Sequence, residues 1–198
     1  MRFSPLEEDL QDVDLVLVSS DNIHFHVQRQ PLICQSSNHF GSLLPETEIA
    51  PEMFQFLNTL NFDPAPPTIV DTKYPAEVLN IVLLVVQGLS VQPYRPSAFA
   101  LRAALAALSD LGCDIEAIFS PGSELFDIFV RAAKVEPLPM YAAAAHYSLE
   151  YLAVTISVYA VDISPSKISE ELAAEMGAIY LKRLFREINF VYPTPRSY

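Results

Sequence analysis

Apolar residues follow two rhythms along this chain. Residues 13–18 (VDLVLV) form a β-branched run, and residues 23–27 (IHFHV) alternate apolar with histidine. Between them stand four turn residues, Ser19, Ser20, Asp21 and Asn22. Strand, turn and strand in that order predict a β-hairpin. Period two puts Ile23, Phe25 and Val27 on one face and His24 and His26 on the other. The first run is apolar on both faces apart from Asp14, which predicts neighbours on both of its sides.

Helix-like spacing then takes over. Short helices are predicted over 31–35 and 40–44, joined through Ser36, Ser37 and Asn38, with Pro31 at a first helical position. A proline-rich connector covers 45–67, and within it residues 53–60 (MFQFLNTL) have helical spacing. Residues 68–70 read as a short strand. Residues 75–88 form the most hydrophobic helix, apolar on nearly every side, so it belongs inside the fold. A helix over 98–111 follows Pro96 and Ser97 and stops at Gly112. Residues 123–133 carry Leu125, Phe126, Phe129 and Val130 on one stripe. Pro137 and Pro139 mark a joint before a helical pair, 140–147 and 149–161, split at Ser148. After Pro165 come helices over 169–176 and 178–188, broken at Gly177. Ser169 reads as an N-cap with Glu170 and Glu171 behind it, and Lys182, Arg183 and Arg186 fall in the last turns. Residues 192–198 read as a frayed tail. Strands occupy the first third and helices the rest, an α+β layout without a fixed-period repeat.

Composition narrows the function. In 198 residues, 51% are apolar and 18% charged, which argues for a packed core and against disorder. A net charge of −12 argues against nucleic acid or an anionic membrane surface as partner. Five scattered glycines argue against a phosphate-cradling loop. The densest apolar stretch, 78–86, is too short to cross a bilayer. Residues 1–12 hold four acids and one arginine, the reverse of a basic leader segment. Cys34 and Cys113 are too few for a disulfide framework, and both are expected to be buried, reduced thiols. A cytoplasmic or nuclear protein is expected.

Residues 14–45, DLVLVSSDNIHFHVQRQPLICQSSNHFGSLLP, resemble the opening of a BTB/POZ domain. The matching positions are Asp14, Phe25, Val27, Arg29, Leu32, Ser36 and Phe40; Gln28 stands where the family usually has histidine. The chain is most similar to the BTB proteins of filamentous and mushroom-forming fungi. That likeness continues through VLNIVLLVVQGLSVQPYRPS (78–97), PLPMYAAAAHYSLEYLAV (137–154) and GAIYLKRLF (177–185). The resemblance implies a small sheet packed on a helical cluster, followed by a helical extension. The implied segments are an acidic stretch (1–12), a BTB/POZ-like domain (13–136) with an insert at 45–68, an extension (137–190) and a flexible tail (191–198). It also implies a non-enzymatic interaction module without cofactors. Such modules homodimerise, bridge substrates to cullin ubiquitin ligases or recruit transcriptional corepressors.

Candidate chemistry is sparse. Asp14 and Arg29 match a charged pair near the dimer groove of some BTB domains; the alternative is an exposed aspartate at a strand start. An aspartate on an apolar strand is costly unless partnered. His24 and His26 could begin a metal site, with His39 and Cys34 near in sequence, but no spaced third and fourth ligand is evident. They read as exposed strand residues. His146 reads as a packed or partly exposed helix residue. Glu170, Glu171 and Glu175 read as a solvated face. Four alanines, 142–145, permit close helix approach. No hydrolase, Walker, dinucleotide or zinc-protease motif occurs. The expected protein interface is Phe3, Leu6 and Leu10 with Asp14, Arg29, Pro31, Ile33 and Cys34. The alternatives are an enzyme using His24, His26 or His146, and a small-molecule binder with a cavity lined by Tyr141, Tyr147 and Tyr151.

Overall fold

The computed structural model describes residues 13–44, 67–161 and 163–191. The expected helix at 53–60, the tail at 192–198 and residues 1–12 lie outside that set. The structure is mixed α+β and divides into two compact units, Met1–Gly88 with Ala107–Asp114, and Leu89–Ala106 with Ile115–Tyr198. Residues 115–136 therefore cluster with 137–190.

In the first unit, β1 (Leu15–Val18) is the centre of a three-stranded sheet of order β2-β1-β3. β2 (His24–Val27) runs antiparallel to β1, pairing Leu15 with Val27 and Val18 with His24. β3 (Thr68–Asp71) runs parallel to it, pairing Leu15 with Thr68. The hairpin and the two-sided neighbours of β1 are as the pattern predicts, and every β1 side chain is buried. The turn closes where the Ser19 hydroxyl accepts the Ile23 N–H at 2.9 Å. β2 alternates as expected, with Val27 buried and both histidines exposed, though Ile23 stays outside the strand and half exposed.

Helix α1 (Arg29–Cys34) and helix α2 (Ala76–Val86) begin without a side-chain cap of their own. An aspartate from elsewhere does that work for each. Asp14 accepts the Arg29 N–H and Asp21 accepts the Ala76 N–H, both at 2.7 Å. These carboxylates satisfy N–H groups left free at helix starts and face the positive end of the helix dipole. α1 starts two residues earlier than expected. Pro31 still fits because it falls in the first turn, where no N–H is required. α2 buries Val78, Leu79, Ile81, Val82, Leu83 and Val86, as its all-round apolar surface requires.

Residues 40–44 are not a helix. His39, Phe40, Gly41 and Ser42 all take positive φ, between 53° and 68°, and form one left-handed turn. For residues other than glycine that conformation costs about 1–2 kcal/mol each. Four hydrogen bonds and two buried side chains hold it. The Ser36 hydroxyl accepts the Phe40 N–H at 2.7 Å and donates to the Leu111 carbonyl at 2.6 Å. Asn38 accepts the Gly41 N–H at 2.7 Å and donates to the Asp110 carbonyl. Phe40, within the turn, and Leu44, two residues after it, are fully buried. Gly112, also at positive φ, ends the preceding helix, and a β-carbon there would run into Asn38.

Helix α3 (Ala98–Asp110) runs through both units. The second unit adds α4 (Ile115–Ile118), α5 (Glu124–Ala133), α6 (Pro137–His146), α7 (Glu150–Ala160) and α8 (Glu170–Val191). Within it α6 packs against α5, α7 and α8. Ala142–Ala145 are all buried, so small side chains let the helices come close on every side. α6 starts at Pro137, earlier than the predicted 140, since both prolines occupy its first turn where no N–H is needed. Ser123 caps α5 by accepting the Phe126 N–H, and Phe129 meets Phe119 edge to face at 5.4 Å. Ser169 likewise accepts the Leu172 N–H. α8 breaks at Gly177, which takes φ 71° and ψ 162°. α8 continues to Val191, past the predicted end at 188, so its final turn carries no basic residue. Among the described residues no helix is long and apolar enough to cross a membrane.

Candidate functional site

Of the expected interface, Phe3, Leu6 and Leu10 lie outside the described residues. Asp14, Arg29, Pro31, Ile33 and Cys34 gather at and around α1. The Asp14–Arg29 pair takes a different form from the one expected. The Asp14 carboxylate is exposed and accepts the backbone N–H of Arg29, so the contact depends on the helix start and not on the guanidinium.

The expectation of two buried thiols holds for only one. Cys113 is buried, and desolvation pushes its thiol up to about 11. Cys34 is exposed. Leu32 is the residue α1 turns inward, and Cys34, two positions on, is rotated by about 200° to the other side. Gln30 donates to its sulfur at 3.3 Å.

His24 and His26 are exposed on β2. Among the described residues no three His, Cys, Asp or Glu side chains are grouped to hold a metal ion.

The second unit carries two open cavities. One, of about 350 Å³, is lined by Phe99, Arg102, Ala143, His146, Tyr147 and Glu175 among others. Glu175 is not part of a solvated face. Both its oxygens lie 3.0 Å from Nη2 of Arg102, and each side chain is about 30% exposed. Nε of Arg102 is buried without a partner. His146 is exposed and stands edge-on to Tyr147, 4.8 Å between ring centres. This cavity holds a single histidine, and its one acid is already paired.

The second cavity, of about 330 Å³, is lined by Glu116, Phe119, Ser120, Glu150, Tyr151 and Leu152 among others. Glu150 is engaged: Arg183 donates to both its oxygens at 2.7 Å and the Tyr180 hydroxyl donates at 3.0 Å. Those donors, Arg183 foremost, hold its carboxyl below the usual glutamate range. The expected cavity of Tyr141, Tyr147 and Tyr151 does not form. Tyr141 is buried with its hydroxyl donating to the Tyr180 carbonyl, and burial pushes it up to about 12. Tyr147 and Tyr151 line different cavities.

One surface escapes sequence reasoning. On α7, Tyr151, Val154 and Val158 are 73%, 58% and 66% exposed. Their i, i+3, i+7 spacing makes one continuous apolar stripe. α7 is apolar on most sides, so the sequence does not mark which stripe is left uncovered. No family model matches the chain, and neither does any curated protein or solved structure.

Proposed function

We propose that this chain is a protein–protein interaction module of BTB/POZ type, without catalytic activity, that homodimerises and acts as a scaffold or adaptor in the cytoplasm or nucleus. One observation carries the reading: the residues behind the resemblance are those that hold the first unit together. Asp14 satisfies the start of α1 at Arg29. Val27, Leu32 and Phe40 are buried, and Phe25 is partly so. Ser36 ties the left-handed turn to the carbonyl of Leu111. The small sheet with helices in the same unit supports the same reading.

Self-association is assigned to the amino-terminal segment (Phe3, Leu6, Leu10) and α1 (Pro31, Ile33, Cys34). Dimer interfaces of this kind are apolar. Light scattering of the full chain at roughly tens of micromolar, a range in which weak dimers form, is expected to give a dimer. A monomer there would remove the self-association. Capture by a cullin amino-terminal domain separates a ubiquitin-ligase adaptor from a corepressor-binding or other scaffold.

A further inference from the structure

We infer that the exposed stripe of α7 and the acidic cavity at its amino-terminal end form one docking groove for a basic amphipathic helix of another protein. The inference names a partner class for the interaction-module reading and rests on it. It uses residues of the second unit only, apart from those assigned to self-association.

The argument starts from α7. From Tyr151 to Val161 the sequence holds no Asp, Glu, Lys, Arg or His. Within that stretch Tyr151, Val154 and Val158 stay open to solvent. The stripe is about 10 Å long, at 1.5 Å per residue. A ridge with that spacing matches the i, i+3, i+7 anchors of an apposed helix.

The stripe also ends at a charged feature. Tyr151 belongs both to the stripe and to the wall of the 330 Å³ cavity, so the two surfaces are continuous. Glu116, Ser120, Ser148 and Glu150 are among the residues that line the cavity. Glu150 already has Arg183 as counter-ion. Glu116 is exposed and makes no ion pair among the described residues. A lysine or arginine one turn beyond the partner's apolar anchors would meet Glu116. Its cationic head would lie near the Tyr151 ring, where a cation is favoured.

Charge favours a basic occupant: a lysine or arginine of the docked helix gives Glu116 the counter-ion it lacks among the described residues, while the stripe takes the apolar anchors.

The test is fluorescence anisotropy on the full chain with a labelled synthetic helix of about 18 residues, long enough to be helical. It carries leucines at i, i+3 and i+7 and two lysines one turn beyond. A second peptide has glutamates in place of the lysines. The lysine peptide is expected to bind, more weakly as salt is raised, and at least about tenfold more tightly than the glutamate peptide. Val154→Asp, at an exposed position, weakens it about tenfold or more. Glu116→Lys reverses the preference between the two peptides. Equal binding of both peptides, no binding of either, or an unchanged preference in Glu116→Lys overturns the inference. Dissociation of a dimer by Val154→Asp, with no peptide binding, would assign the stripe to a second copy and overturn it as well. A chain that dimerises through α1 yet ignores the lysine peptide loses this inference and keeps the module reading.

Discussion

Ser36 and Glu124 do the same work in the two units with different chemistry. Each draws a loop onto a helical segment by collecting backbone groups. Ser36 is neutral: its hydroxyl accepts the Phe40 N–H and donates to the Leu111 carbonyl. Glu124 is charged: it takes the Ser90 hydroxyl at 2.5 Å and the N–H groups of Val91 and Gln92 at 3.1 and 3.2 Å. The contrast belongs to these two clasps, since the first unit also caps helix starts with the carboxylates of Asp14 and Asp21 and carries the Lys73–Asp110 ion pair. The first pins its turns with short side chains reaching to backbone. The second joins helices distant in sequence through Arg102–Glu175 and Arg183–Glu150. A neutral clasp does not change with pH, and a carboxylate clasp must.

The largest test of this contrast is Phe40→Ala. Phe40 is fully buried at the end of the Ser36 loop, and its loss should cost about 3–5 kcal/mol in denaturant unfolding. A cost near 1 kcal/mol would mean that the left-handed turn does not depend on its anchor. Next is Ser36→Ala, which strands a backbone N–H and a carbonyl together. It should cost about 1–3 kcal/mol, with the same effect at neutral and acid pH.

Glu124 should behave otherwise. The Ser90 hydroxyl first, then the two N–H groups, lower its carboxyl from the ordinary value. A group held lower in the folded state than in the unfolded state stabilises fully above the ordinary glutamate range. That contribution is lost as pH falls through the lowered folded value. Hydrogen exchange at the Val91 and Gln92 amides should therefore lose protection on acidification through that window, while Phe40 keeps its own. Glu124→Gln should abolish the difference.

The smallest effect concerns Asp14. Asp14→Ala should cost about 1 kcal/mol, the size of a lost helix cap. Arg29→Ala should cost less, because the contact is to its backbone N–H. A double-mutant cycle should give a coupling near zero, and a coupling above about 1 kcal/mol would restore the ion pair.

Much of the fold was legible because local rules and burial agree. Period two marked the hairpin, Ser169 marked a helix start, and Gly112 and Gly177 marked breaks. The turn at 39–42 was not legible. Phe40, Leu43 and Leu44 have helical spacing, and the Ser36 and Asn38 contacts that reverse the backbone reach residues about 70 positions away. Glu175 read as solvated for the same reason, since Arg102 lies 73 residues from it in sequence. Of the candidate interface, only the gathering of residues around α1 followed from the hairpin. Cys34 was misjudged because its neighbours are apolar, although its side of a six-residue helix faces out.

That outward thiol gives the molecule a natural point of attachment. At neutral pH a maleimide dye should react at Cys34 and pass over Cys113, which is enclosed and held protonated. A single fluorophore would then sit on α1 in the unaltered sequence, and because Cys34 belongs to the surface assigned to self-association, the label should itself weaken the dimer.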